Sequence, residues 1–307
     1  MKALLFPGQG SQIVGMGSEF FNNFDIVKKI FNEADEALKF KLSKIILNGP
    51  DDELKLTQNT QPAIMTVSYS IFSVLKKEYN ITLDQFKYFA GHSLGEYSAL
   101  VSGEALNFSD AVYLLQERGK AMQEAVPVGQ GAMLAVLGCE IEELNNLITN
   151  LKSKKVCEIA NDNSVGQTIV SGGVESISEL QNELKVNKKK SILLPVSAPF
   201  HCSLMKSAAE KMKEKINTTS FKESKIEIVS NVNASPETKV NMIKKNLIDQ
   251  ICSKVRWRES ILFMIKNGVS EFIEIGPGKV LSGLVKRITN ESKSKNINSI
   301  NDMKGIF

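Results

Sequence analysis

Short apolar runs that end at turn residues alternate with helical stretches along the first third of the chain. Residues 3–6 are apolar and stop at a Pro-Gly pair, and residues 88–90 lead into Gly91, which is typical of buried strands entering turns. Between them, apolar residues recur at helical spacing over 20–38 and again after Pro62, where proline occupies a favourable early helix position. This order predicts an α/β layer structure with parallel strands.

The pattern changes between about residues 128 and 196. This segment contains four short strand-like runs, at 132–137, 156–160, 168–171 and 191–194. Two amphipathic helical stretches lie between them, near 141–151 and 176–184. The order βαββαβ is that of a ferredoxin-like domain. We therefore expect a large α/β-hydrolase-like catalytic domain with a parallel sheet, made of residues 1–127 and 197–307, and an inserted ferredoxin-like subdomain at 128–196.

The last part of the chain predicts one more strand of the large domain. Residues 272–275 are strand-like and meet a sharp turn at Gly276-Pro277-Gly278. After Thr289 the chain is polar, which predicts a loosely held end.

A serine lies between two glycines after the second predicted strand. Residues 91–95 read Gly-His-Ser-Leu-Gly and match Gly-x-Ser-x-Gly, and a helical stretch follows them. The glycines allow a tight turn that lifts the Ser93 hydroxyl clear of the backbone, and the amino terminus of the helix favours developing negative charge. The pattern alone is common by chance, but its place between a strand and a helix favours Ser93 as a nucleophile.

A serine hydroxyl needs a base, and histidine is the usual base near neutral pH. The chain has two histidines. His92 adjoins Ser93 on the turn, where neighbouring side chains point in different directions, so His201 is the expected base. It follows Pro199 and Phe200 in a loop at the end of the inserted segment. A loop histidine without a catalytic role is the alternative interpretation.

Composition and charge narrow the class of protein. With 307 residues, 42% hydrophobic and 23% charged, the chain is ordinary for a globular protein, and its net charge of +4 is too weak to indicate nucleic acid. The four cysteines show no Cys-x-x-Cys pair, and no apolar run has membrane length. We expect a cytoplasmic protein without metal, membrane anchor or nucleic-acid partner. Basic runs at 188–190 and 286–287 could face an acidic carrier, although solvated surface residues are favoured.

Several ordered motifs together resemble the malonyl-CoA:acyl carrier protein transacylase family. The resemblance extends over nearly the whole chain, and so many motifs in order are far more specific than any one of them. The matching segments are 6–12 (Phe-Pro-Gly-Gln-Gly-Ser-Gln), 91–97, 116–119, 122–123, 161–163, 197–201, Gln250 and 276–278.

The resemblance implies transfer of malonyl from malonyl-CoA to the phosphopantetheine thiol of acyl carrier protein, through an ester on Ser93, in fatty acid biosynthesis. It implies that His201 is general base and then general acid, oriented by a backbone carbonyl near Gln250. The backbone N–H groups of Gln9 and Leu94 would form the oxyanion hole. No cofactor is implied beyond malonyl-CoA as substrate, and we expect a monomer.

The resemblance also implies a set of substrate contacts. Arg118 would pair the malonyl carboxylate with two parallel hydrogen bonds, a geometry that lysine cannot copy, and would reject uncharged acyl groups. Phe200 would fill the space that methylmalonyl needs, a difference worth roughly 1–3 kcal/mol. Gln250, Met122, Asn161 and Asn163 also match substrate-binding positions, but the two asparagines are equally well residues of a turn.

Three alternatives remain at the level of sequence. An esterase or lipase shares Gly-x-Ser-x-Gly, but those enzymes usually place an acid and then the histidine late in the chain. A dinucleotide-binding loop would need a third glycine where Ile13 stands. An acyltransferase of polyketide assembly would carry nearly the same motifs, although a freestanding chain of this size fits fatty acid synthesis better.

Overall fold

The computed structural model of the chain describes residues 1–196 and 198–304. Within these ranges the strands form two sheets. In chain order the strands are β1 (Lys2–Phe6), β2 (Tyr88–Gly91), β3 (Gly131–Leu137), β4 (Cys157–Ser164), β5 (Gln167–Gly173), β6 (Lys190–Leu193), β7 (Glu227–Val229), β8 (Pro236–Glu237), β9 (Glu271–Ile275) and β10 (Lys293–Ile297).

Helices connect nearly all of these strands. They are α1 (Ser18–Asn23), α2 (Asp25–Leu38), α3 (Leu42–Asn48), α4 (Asp51–Lys55), α5 (Thr57–Glu78), α6 (Gly95–Ser102), α7 (Phe108–Glu124), α8 (Ile141–Thr149), α9 (Val174–Val186), α10 (Lys206–Thr218), α11 (Val240–Gln250), α12 (Trp257–Lys266) and α13 (Val280–Ile288), with 3₁₀ turns at Leu83–Gln85, Ser203–Met205 and Asn301–Met303. No helix in the described ranges is long and apolar enough to cross a membrane.

Two helix predictions need correction. The helix expected over 20–38 is two helices, because Phe24 has an extended backbone with φ −130° and ψ 119°. The helix expected after Pro62 begins earlier, at Thr57, so the proline lies inside α5. It is the sixth residue of the helix, beyond the first four positions whose N–H groups lack a partner within the helix, so α5 accommodates the loss of one hydrogen bond.

The larger sheet has the order β10-β9-β1-β2-β7-β8, and every neighbouring pair is parallel except β7 with β8. Alternate residues of β1 point to opposite faces, as the pleat requires. Leu4 and Phe6 belong to the large core with α2, α5, α6 and α7, whereas Ala3 and Leu5 belong to a second core with α12 and α13. Helices therefore cover both faces of this largely parallel sheet, which agrees with the predicted α/β layer structure with parallel strands.

The smaller sheet has the order β4-β5-β3-β6, and all its pairs are antiparallel. Apolar side chains of α8 and α9, such as Leu144 and Leu180, pack with Leu134 and Val170 of the sheet in a core of their own. This order and these two helices are the ferredoxin-like arrangement. The predicted fold class, a parallel α/β layer structure with a ferredoxin-like unit, is confirmed.

The unit that holds the smaller sheet is tied to the loop before α12 at strand β4. Val255 donates its N–H to the Ala160 carbonyl at 2.8 Å, and Asp162 donates to the Val255 carbonyl at 3.0 Å. The carboxylate of Asp162 receives two bonds from Arg258, from Nε to Oδ1 and from Nη2 to Oδ2, both at 2.9 Å. These contacts hold β4 beside the larger sheet.

The prediction of a loose end after Thr289 is wrong. Strand β10 pairs in parallel with β9 over five residues, and a 3₁₀ turn follows it. Ile297 and Met303 are buried. The segment is polar because β10 is the edge strand of the sheet, where most side chains stay partly in solvent. Ser197 of the predicted motif 197–201 and residues 305–307 lie outside the described residues.

Candidate active site

The candidate site lies at the carboxyl ends of neighbouring parallel strands. The loop with Gln9 follows β1, Ser93 follows β2, and Asn231 follows β7. Strands β1, β2 and β7 are adjacent in the sheet and run in one direction. In open α/β sheets this edge is where ligands bind, because loops from several strands converge there.

Ser93 lies on a tight turn whose two flanking glycines have no room for a side chain. Ser93 has φ 54°, in the left-handed region. A Cβ added to Gly91 would come within 1.9 Å of Gly95, and one added to Gly95 would come within 2.2 Å of the Phe6 carbonyl oxygen. The two glycines of the motif are therefore required by close backbone approach, and the geometry is that of a nucleophile elbow.

Side chains from distant elements hold the strained backbone of Ser93. Asn231 accepts the Ser93 N–H at Oδ1 over 2.7 Å and donates from Nδ2 to the Gly91 carbonyl over 2.7 Å. Gln250 donates from Nε2 to the Ser93 carbonyl at 3.1 Å. A left-handed non-glycine residue costs about 1–3 kcal/mol, and these bonds offset that cost.

The Ser93 hydroxyl and the His201 imidazole are in direct contact. Ser93 Oγ lies 2.8 Å from His201 Nε2, and His201 Nδ1 lies 2.8 Å from the Gln250 carbonyl oxygen. A carbonyl only accepts, so Nδ1 carries the proton and Nε2 is free to accept the serine proton. His92 points elsewhere, with Nε2 at 2.9 Å from Asn163 Oδ1.

The environment keeps His201 neutral. Burial, and then the positive charge of Arg118, lower the pKa of His201 from 6.5 to about 3. The Gln250 carbonyl opposes this shift because it accepts from the imidazole. Gln250 is the last residue of α11, where carbonyls lack partners within the helix and carry the negative end of its dipole. An unprotonated base therefore faces Ser93 at neutral pH.

The guanidinium of Arg118, on α7, lies at the same hydroxyl. The residue is 1% exposed, and it donates from Nη2 to Ser93 Oγ at 3.1 Å. It also donates from Nη1 to Gln61 Oε1 at 2.7 Å and from Nη2 to Gln250 Oε1 at 2.9 Å. No carboxylate of the described residues forms an ion pair with it, and its Nε has no partner among them. Three of its five N–H groups are thus used in these bonds, and the other two have no acceptor among the described residues.

The loop after β1 packs against the serine turn. A Cβ on Gly8 would come within 2.6 Å of the His92 carbonyl oxygen, so the backbone leading into Gln9 lies on the elbow. Leu94 caps the amino terminus of α6. The Gly276-Pro277-Gly278 turn supports the same loop, since a Cβ on Gly276 would meet Pro7 Cγ at 2.7 Å. The segments that carry the two predicted oxyanion-hole residues are thus adjacent.

The remaining predicted residues lie around this centre, in two different settings. Phe200 is buried next to the base, and Met122 is buried with its Sδ 3.8 Å from Gln61 Nε2. Asn161 and Asn163 do not lie in a loop: both belong to β4 and both are buried. Their contact with substrate stays a prediction, and the turn interpretation is wrong because bulged pairing with β5 extends the strand through them.

Three residues of the site were not singled out from the sequence. Asn231 holds the serine turn, Gln61 holds Arg118, and Glu96 accepts from Asn231 and Gln250. Asn231 directly follows a strand, and a residue at that position of a parallel sheet is a candidate on topology alone. Gln61 lies inside α5, and nothing in the sequence around it indicates a role in the site. No group of three or more His, Cys, Asp or Glu residues in the described chain is arranged to hold a metal ion.

Comparison with known proteins places this site in a family. Residues 3–304 match the family described as the acyl transferase domain. The chain belongs to the acyl transferase family. The malonyl CoA-acyl carrier protein transacylase of Bacillus subtilis (strain 168) is 48% identical to it over 296 residues, which are 95% of this chain and 92% of that protein.

Solved structures of the acyl transferase family have the same fold. The acyl-carrier-protein-S-malonyltransferase from Bartonella henselae is 39% identical and superimposes with a TM-score of 0.96 over 98% of this chain and 96% of that one. A malonyl-transacylase solved in complex with its type II PKS acyl-carrier protein is 36% identical, with a TM-score of 0.95 over 98% of this chain and 97% of that one. The resemblance that the sequence motifs indicated is therefore confirmed.

Proposed function

We propose that this chain moves malonyl from malonyl-CoA to the phosphopantetheine thiol of an acyl carrier protein, in fatty acid biosynthesis. The observation that carries the proposal is the position of the Ser93 hydroxyl, 2.8 Å from the His201 imidazole and 3.1 Å from the Arg118 guanidinium. A nucleophile, a neutral base and a carboxylate-binding cation thus meet at one oxygen atom. Relatives named malonyl CoA-acyl carrier protein transacylase support the same substrates.

The first half-reaction makes the malonyl ester. Ser93 Oγ attacks the thioester carbonyl of malonyl-CoA while its proton passes to His201 Nε2. The carbon–sulfur bond then breaks, and the imidazolium gives the proton to the leaving thiolate of coenzyme A. In the second half-reaction the carrier thiol gives its proton to His201 and attacks the ester carbonyl. The bond between the carbonyl carbon and Ser93 Oγ then breaks, and the imidazolium returns the proton to Oγ, which restores the Ser93 hydroxyl. Both half-reactions use one serine in turn, so the kinetics should be ping-pong.

Negative charge that develops on the carbonyl oxygen needs donors close by. We assign this role to the N–H groups of Gln9 and Leu94, which lie on the two adjacent segments of the elbow. The Leu94 N–H also stands at the amino terminus of α6, where the helix dipole favours an anion.

Selection of malonyl is assigned to Arg118. Its guanidinium is buried and has unused N–H groups, so a carboxylate that reaches it gains charge-assisted hydrogen bonds. An acetyl group would leave those N–H groups without an acceptor. Phe200, beside the base, is proposed to limit space for a methyl branch, and Met122, Asn161 and Asn163 to line the acyl or pantetheine region.

The proposal extends to the domain boundaries, the carrier and the setting of the enzyme. We propose the division into residues 1–127 with 197–307 and residues 128–196, since the two sheets have separate cores. The carrier is supported by the structural relative in complex with its type II PKS acyl-carrier protein, which also keeps polyketide assembly as an alternative pathway. A monomer acting in the cytoplasm, without a cofactor, completes the proposal.

The test of the chemistry is intact-mass spectrometry of the protein mixed with malonyl-CoA. The expected result is a malonyl adduct on the unaltered chain and none on Ser93→Ala, because the Ser93 hydroxyl is the one that contacts His201 Nε2 among the described residues. An adduct that survives in Ser93→Ala would remove Ser93 from the proposal. Free malonate released in place of malonyl carrier, when holo carrier is present, would favour the hydrolase alternative.

A further inference from the structure

A buried carboxylate lies next to the site and takes no part in the chemistry proposed above. Glu96, in the first turn of α6, is 3% exposed. Its Oε2 accepts from the Asn231 backbone N–H at 3.0 Å and from Gln250 Nε2 at 2.8 Å. In the part of the chain that the structure describes, none of the ion pairs involves Glu96. A buried carboxylate without a cationic partner costs stability, so its position calls for a functional reason.

The two ends of the Gln250 side chain face different partners. Its Oε1 accepts from Arg118 Nη2 at 2.9 Å, and its Nε2 faces acceptors, Glu96 Oε2 at 2.8 Å and the Ser93 carbonyl at 3.1 Å. A third acceptor, Asn231 Oδ1, lies farther from Nε2, at 3.3 Å, so Glu96 makes the shortest of the three contacts. An amide that turns over exchanges a donor for an acceptor with little change of shape. The reversed amide would point its NH2 group at the guanidinium, which has only donors. The partners on the Nε2 side therefore decide whether Arg118 keeps an acceptor.

We propose that Glu96 is the positioning residue for malonyl selection: its Oε2 holds the amide of Gln250 so that Oε1 faces Arg118 and aims the guanidinium at the acyl group. Glu96 is not among the hydrogen-bond partners of Ser93 Oγ, which are His201 and Arg118, and it acts through Gln250. The inference rests on the proposed function, because it assigns Arg118 the malonyl carboxylate.

The role requires an acceptor atom, not a negative charge. Both groups that point at Oε2, the Asn231 N–H and the Gln250 NH2, are donors. Burial raises the pKa of Glu96 to about 7, against the hydrogen bonds and the Arg118 charge that lower it, so the carboxyl group is partly protonated at neutral pH. A glutamine at position 96 would present its carbonyl oxygen to the same two donors and would keep Gln250 in place.

The experiment compares Glu96→Gln, which keeps the acceptor, with Glu96→Met, which removes it at similar size. For each variant, kcat and KM of serine acylation are measured with malonyl-CoA and acetyl-CoA, and Ser93 reactivity is measured with a neutral sulfonyl fluoride. We expect Glu96→Gln to keep the preference for malonyl within about 3-fold. We expect Glu96→Met to raise the KM for malonyl-CoA and lower the preference by about 10-fold or more, with sulfonyl fluoride reactivity within about 3-fold.

Two results would overturn the proposal. One is a folded Glu96→Met protein with the original malonyl preference. The other is a loss of preference in Glu96→Gln, since this variant retains the acceptor and is expected to fold even if the methionine variant does not. Failure of the proposed function would be distinguished from failure of this inference by a different result, the absence of a malonyl adduct on the unaltered protein.

Discussion

Both reacting side chains stand on left-handed backbone. Ser93 has φ 54° and His201 has φ 59°, and neither residue favours this region by itself. The strain is compensated by tertiary contacts from Asn231 and Gln250. Since this conformation already brings Oγ within 2.8 Å of Nε2, the nucleophile and its base are organised before substrate arrives.

The lowered pKa of His201 predicts an unusual pH dependence. A histidine whose pKa is about 3 in the folded protein stays neutral, and therefore able to accept a proton, at every pH above that value. The rate at which a neutral sulfonyl fluoride modifies Ser93 should therefore stay level from pH 8 to pH 5. A fall near pH 6.5, measured in Glu96→Gln so that Glu96 does not titrate, would contradict the buried setting of the imidazole.

Removal of the guanidinium should change substrate preference. Arg118→Ala loses charge-assisted bonds to the malonyl carboxylate, each worth about 1.5–3 kcal/mol, so malonyl transfer should fall by roughly 100-fold or more while acetyl transfer rises. The two rates are measured with carrier and each acyl-CoA. Lys120→Ala, on the same helix but partly exposed and paired with Glu117, is the control and should change neither rate. An unaltered preference in Arg118→Ala would exclude the carboxylate clamp.

At the scale of elements, the elbow depends on glycine at two positions. Gly95→Ala would place a Cβ within 2.2 Å of the Phe6 carbonyl oxygen, a backbone atom that cannot yield without displacing β1. We expect a loss of about 3 kcal/mol in the free energy of unfolding and loss of the malonyl adduct. Urea denaturation and intact mass measure the two effects.

The matched control for that substitution lies in another helix. Gly283 is in α13, and a Cβ added there meets nothing within 4 Å. Gly283→Ala should therefore raise stability by about 0.5–1 kcal/mol, because alanine is the better helix former. Equal effects of the two glycine substitutions would mean that the close approach at Gly95 does not constrain the turn.

Most elements were predictable because their apolar periodicity reports burial directly. Strands β1, β2 and β9 are short apolar runs before glycine or proline, and α8 and α9 have one apolar face. Strand β10 was missed because it is polar and owes its structure to backbone pairing with β9. The second half of β4 was missed for the same reason, since Asn161 and Asn163 are buried by neighbours that local sequence does not identify.

At the scale of the whole molecule, a charge pair fastens the smaller sheet to the larger one. Asp162 of β4 is 2% exposed, and both of its carboxylate oxygens accept from the guanidinium of Arg258 at the start of α12. Arg258→Met should lower the free energy of unfolding by about 2 kcal/mol, because it leaves a buried carboxylate without its partner. The Arg258 side chain is 28% exposed, so the expected loss of stability is smaller than for a fully buried ion pair.

The control for this pair is an exposed one on α11. Lys245 and Asp249 are 64% and 38% exposed, and Lys245→Met should cost no more than about 0.5 kcal/mol. Urea denaturation compares the two variants at one pH and salt concentration. Similar losses in both would show that Arg258 contributes no more than a surface charge.

The sequence by itself determined the alternation of strands and helices, the serine turn between two glycines and, with only two histidines in the chain, the base to pair with it. These features are local, since periodicity and glycine spacing act over a few residues. Only the tertiary structure decided which side chains hold the site together. Gln61, Glu96, Asn231 and Gln250 come from α5, α6, the loop after β7 and α11, and their hydrogen bonds exist only because parallel strands end at one edge of the sheet.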